Sequence, residues 1–152
     1  MTDIELARAL ESGEIANENF HHLSHLHVAW VYLSECSNVD EAVNKMRITL
    51  RRFATCAGKA EKYHETITLF WIYLLGSVRA LNVSERLEEI VRMNPRLLEK
   101  NFPLDYYSQE RLLSDRARTS WVEPDLKPLP ANGTAFYSSG PARDASDWVV
   151  SR

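Results

Sequence analysis

Across its first hundred residues the chain carries one proline, Pro95, and only three glycines, Gly13, Gly58 and Gly76. A stretch so poor in helix breakers, with no sustained alternation of apolar and polar residues, is committed to helices. "DIELARALES" reads as a short helix ended by Gly13, and "EIANENFHHLSHLHVAWVYLSE" as a second over roughly 14–35. Asn38 is placed to cap a third, "VDEAVNKMRITLRRFATCA", which stops at Gly58. In it Val43, Met46, Leu50, Phe53, Ala54 and Ala57 recur mainly at steps of three and four. A fourth helix spans about 61–81. Ser84 caps a fifth, "ERLEEIVRM", which ends before Asn94-Pro95, and "PRLLEKNF" adds a turn. Ser108 caps a sixth, "QERLLSDRARTSW".

After Trp121 the character changes. The segment 122–148 holds four of the six prolines and two of the five glycines, and cannot continue as regular structure. "WVEPDLKPLP" is expected to lie extended across the helices. Phe136, Tyr137 and Trp148 beyond it leave room for docking on a partner or on the domain itself. The fold expected is all-α: an up-down bundle of five to six helices over residues 1–126, with an irregular, Pro-rich arm over 127–152.

At 152 residues this is one domain with room for a real core. A net charge of −3 gives no basic footprint for nucleic acid. Arg47, Arg51 and Arg52 form a local basic stripe, which reads as a solvated face or as a phosphate contact. The most apolar run, "ITLFWIYLLGSV", is shorter than the roughly 20 residues a bilayer requires and reads as a buried helix. Cys36 and Cys56 would stand at opposite ends of a bundle, which excludes a disulfide. With an acidic, polar N-terminus unlike a signal peptide, a cytoplasmic setting is expected.

Four of the five histidines, His21, His22, His25 and His27, fall within seven residues of an apolar segment; the fifth, His64, lies in "KYHETITLFWIYLL". If helices 2 to 4 run up, down and up, helix 2 climbs ~21 Å from His21, helix 3 descends ~28 Å and helix 4 climbs ~5 Å to His64. That returns His64 to the level of His21 and His22. On a helical wheel His22 shares an apolar arc with Leu26, Ala29 and Leu33, and His25 borders it; His64 shares a face with Ile67, Trp71, Leu75 and Val78. His27 points away and is expected to be solvated.

Two imidazoles from one helix and a third from a facing helix make a facial metal set, here His21 or His22, His25 and His64. Glu65 could ligate or move protons beside His64. Imidazole and carboxylate without thiolate suit a divalent transition metal, with iron first and zinc or copper next. The reading is of a small metal-binding enzyme of the non-haem iron type, acting on a small organic molecule, with a homodimer open to it and no nucleic-acid or membrane partner. Two alternatives stay open: a metal-free acid/base pocket using His64 and Glu65, and a non-catalytic helical binding or accessory protein in which the histidines are structural. Tyr63, Thr66, Tyr106, Tyr107, Arg116 and Arg118 are further candidates to line a cleft, and Asp125 is a distant carboxylate donor.

Phe20-His21-His22 with His25, Ala29-Trp30, "LRRFA" (50–54), "YHETIT" (63–68), "NPRLL" (94–98) and "VEPDL" (122–126) together resemble a group of small, mostly uncharacterised bacterial helical proteins. The resemblance covers about residues 20–126 and implies no particular activity. Where that group often has Asp before the third histidine this chain has Ser24, and where it has Arg this chain has His27. The resemblance points to His21, His22, His25, His64 and Glu65.

Overall fold

A computed structural model of the protein describes residues 1–81 and 86–130. Among these the structure is all-α: α1 (Asp3–Ser12), α2 (His22–Glu35), α3 (Val39–Cys56), α4 (Glu65–Leu81), α5 (Leu87–Met93), α6 (Gln109–Leu112) and α7 (Asp115–Thr119). Turns of 3-10 helix lie at Asn17–Asn19, Ala60–Lys62, Pro95–Leu98 and Phe102–Asp105. No helix among the described residues is long and apolar enough to cross a membrane.

Local chemistry sets most of the boundaries. Thr2 closes a capping box with Glu5 at the start of α1, and Gly13 ends the helix in the left-handed region at φ 79°. Asn38 caps α3 by accepting the Glu41 N–H at 2.9 Å. The second helix begins at His22 rather than near residue 14. Asn17 and Asn19 favour turns over helix interiors, and Phe20 is held extended so that its ring packs on Phe53 at 5.2 Å and stacks on His25. The sixth expected helix is two short ones. Ser114 accepts the Ala117 N–H at 3.1 Å and so restarts the helix as α7, leaving Leu113 64 % exposed at the break. Ser84, expected to cap α5, lies outside the described residues.

α4 is the central element. From Glu65 to Val78 every residue is buried except half-buried Ile67, as expected of a helix apolar on all sides. α2 and α3 pack on it and on each other. An aromatic cluster of Phe70, Trp71, Phe102, Tyr106 and Tyr107 joins α4 to the C-terminal half, with neighbouring rings 5.3–6.4 Å apart. Tyr106 and Tyr107, expected to line a cleft, are buried in this core. At the seam of α1, α2 and α3 the buried Tyr32 hydroxyl donates to Glu11 at 2.6 Å and meets Thr49 at 3.0 Å, while Lys45 lies over its ring.

Residues 121–130 cross the helices as a strap, as the prolines suggested. Thr66 donates to the Ser120 carbonyl at 2.8 Å and accepts the Val122 N–H at 3.3 Å. Tyr107 donates to the Val122 carbonyl at 2.7 Å, and Ser77 to the Pro130 carbonyl at 3.0 Å. Leu129 and Pro130 are buried. Residues 131–152, with Phe136, Tyr137 and Trp148, lie outside the described residues.

Candidate functional site

The four histidines at the start of α2 take different environments. His21 precedes the helix and is exposed, its backbone N–H donating to Ser24 Oγ at 3.3 Å. His22 donates from Nε2 to the Leu97 carbonyl at 2.9 Å and sets its ring edge-on against Trp71 at 4.5 Å. His25 is stacked on Phe20, and its buried Nε2 has no hydrogen-bond partner. Burial, reinforced by neighbouring His22, lowers its pKa to about 3, so the ring is neutral at physiological pH. Burial likewise lowers the pKa of His22.

His64 occupies the N-cap position of α4. Its Nδ1 accepts the Ile67 N–H at 3.1 Å, and its Nε2 donates to the Leu112 carbonyl at the end of α6 at 2.8 Å. Both ring nitrogens are engaged, which fixes the neutral Nε2–H tautomer. Burial lowers its pKa too. The expected meeting with the α2 histidines does not occur in this arrangement. Among the described residues, no three of His21, His22, His25, His64 and Glu65 bring ligand atoms within 4.8 Å of one another; His22 packs instead on Trp71. The N-cap role also turns the His64 ring along its own helix and toward α6.

Glu65 is 6 % exposed. Its carboxylate accepts from Arg47 Nε at 2.7 Å and from the Tyr63 hydroxyl at 2.7 Å, at the first turn of α4 where the helix dipole favours an anion. Burial and the Glu65 carboxylate raise the Tyr63 pKa. Glu65 and His64, expected to act together, are each tied into a different structural contact. Asp125, the distant donor, instead accepts from the Ser108 N–H at 2.7 Å and its hydroxyl at 2.6 Å.

A different group converges on the other side of α2. Among the described residues, the side chains offering three ligand atoms within 4.8 Å of one another are Asp3, His27 and Glu88, from α1, α2 and α5. His27 is 16 % exposed rather than solvated as its wheel position suggested, because α1 and α5 cover that side of α2. Its Nδ1 lies 3.0 Å from Asp3 Oδ1, off the line of a directed hydrogen bond, and has no hydrogen-bond partner. Glu88 is half exposed, with Arg86 3.6 Å away. An open cavity of about 550 Å³ adjoins the group, lined among others by Trp30, Ser34, Arg79 and Arg86. Arg79 lies over the Trp30 ring at 5.3 Å. Three ligands of mixed nitrogen and oxygen type leave coordination positions open to water or a ligand.

Sequence reasoning missed this group because its members are 24 and 61 residues apart, in no motif. The one signal was His27 itself, a histidine on the side of α2 taken to be solvated. No known protein family, characterised protein or solved structure matches the chain.

Proposed function

We propose that the protein is a small helical binder of a divalent transition metal, with Asp3, His27 and Glu88 as the ligands. The observation that carries the reading is the convergence of these three donors from three separate helices. Two carboxylates and one imidazole suit iron, manganese or zinc, and the carboxylates offset the ion's charge. The adjoining cavity gives the open positions on the ion access to a small molecule, and Arg79 and Arg86 favour an anionic one. Occupancy requires the metal to displace Arg86 from Glu88.

The engagement of His22, His64 and Glu65 in structural bonds favours a second reading, in which the protein binds without catalysing. The set of His21 or His22, His25 and His64 with Glu65 as base is the competing metal site, and one experiment separates the two. Iron(II), manganese(II) and zinc(II) are titrated calorimetrically into the wild type, His27→Gln, Glu88→Gln, His25→Gln and His64→Gln. His27→Gln and Glu88→Gln should each weaken binding about 10- to 100-fold, while His25→Gln and His64→Gln leave it unchanged. No binding by the wild type rejects both sites. Loss confined to His25→Gln and His64→Gln moves the metal to the histidine cluster.

A further inference from the structure

A second cavity lies on the far side of α3, independent of the metal group. It encloses about 300 Å³ and is lined by Arg51, Thr55, Ala60, Tyr63, Arg118 and Thr119. The last turns of α3, the 60–62 turn and α7 thus bring together residues as far apart as 51 and 119. Two guanidinium groups, three hydroxyls and no carboxylate form the lining. Arg51 is held over the Tyr63 ring at 5.5 Å, and Arg118 donates to the Glu61 carbonyl at 2.6 Å. Each contact orients a guanidinium without neutralising it, and neither arginine makes an ion pair with a described residue.

The neighbouring charges sharpen this asymmetry. The anion closest to Tyr63, Glu65, is buried behind it and already neutralised by Arg47. Arg47 therefore leaves the basic stripe, and Arg52 faces a different cavity, beside Phe53 and Cys56. Of the three, Arg51 lines the same cavity as Arg118. Of the three hydroxyls, that of Tyr63 donates to Glu65 and that of Thr119 to the Asp115 carbonyl, which leaves Thr55 beside the two guanidinium groups. A pair of oriented guanidinium groups is the donor set that recognises a tetrahedral dianion, because each fork offers parallel N–H bonds to two oxygens. The volume admits a phosphate group with a few carbons attached.

We infer that the cleft between α3 and α7 is a binding site for the phosphate group of a small phosphate monoester, held by Arg51 and Arg118 with Thr55. The role of Tyr63 is positional: it stacks under Arg51 while its hydroxyl serves Glu65.

Calorimetric titration at low ionic strength with inorganic phosphate, phenyl phosphate and, as control, benzoate tests the assignment. The proteins are the wild type, Arg51→Gln, Arg118→Gln, Arg118→Lys and Arg52→Gln, each checked for native circular dichroism. Phenyl phosphate should bind, with benzoate at least tenfold weaker. Arg51→Gln and Arg118→Gln should each lose about tenfold or more, the equivalent of one charge-assisted bond. Arg118→Lys should recover only part of that loss, and Arg52→Gln should bind as the wild type. Should Arg118→Gln not fold, Arg51→Gln decides alone, because Arg51 bonds to no backbone group. Inorganic phosphate bound as tightly as the monoester would make the free ion the ligand and overturn the ester assignment. Absent binding by the wild type, or equal losses in Arg52→Gln and Arg51→Gln, would overturn the site.

Discussion

His25 shows how one side chain can carry a pH dependence for the whole fold. Its buried ring, with Nε2 unpartnered, resists protonation until about pH 3, whereas in an unfolded chain an imidazole takes a proton near pH 6.5. Between these values the unfolded state binds more protons, so stability is complete above about pH 6.5 and falls as pH drops toward 3. At about 1.4 kcal/mol per pH unit for one proton, moving from pH 7 to pH 5 should cost about 2 kcal/mol through His25. His22 and His64 act in the same direction, each lowered by burial. Urea unfolding at the two pH values measures the loss. In His25→Gln the difference between pH 7 and pH 5 should shrink by most of that amount, and an undiminished difference would show that the ring is not buried as described. The same residue marks a limit of sequence reading. The wheel placed His25 at the margin of an apolar arc, but whether a marginal imidazole finds a partner depends on Phe20, which leaves the helix to stack on it.

At the scale of the helices, capping chemistry was readable and close packing was not. Gly13 and Asn38 act where the sequence put them because a cap depends on residues within one turn. Gly76 gave no such signal: it sits inside α4, where glycine is unfavourable by about 1 kcal/mol. The structure explains it by the approach of α3. A Cβ at Gly76 would come 3.2 Å from Val39 Cγ2 and 3.6 Å from Leu33 Cδ2. Gly76→Ala should be nearly neutral, since its gain in helix propensity offsets a small shift of Val39. Gly76→Leu should cost about 2 kcal/mol by forcing α3 from α4. Thermal melts of both variants check the pair, and a leucine variant as stable as the alanine one would mean that the seam has slack. The sixth helix failed as a single element for a related reason. Ser114 is a poor helix-interior residue and a good cap, and the exposed Leu113 before it offers no burial to hold the turn together.

For the molecule as a whole, the strap of residues 121–130 joins the C-terminal half to the central helix. Thr66, fully buried, carries the joint through its two bonds to residues 120 and 122. Thr66→Val keeps the shape but orphans a carbonyl and an N–H, so it should lower unfolding stability by about 2 kcal/mol. A urea midpoint unchanged from the wild type would argue that the strap contributes nothing. The all-α class, the buried α4 and the irregular strap followed from the sequence alone, because helix propensity, apolar surface and proline content act locally or in bulk. Only the tertiary structure decided which polar side chains face one another. His64 was legible as an inward-facing histidine, yet its partner is a backbone carbonyl from residue 112. Asp3, His27 and Glu88, like Arg51 and Arg118, meet across long separations in the chain. Such meetings depend on helix tilt and on where each helix begins, and His22 and His64 each found a different backbone carbonyl, of Leu97 and of Leu112.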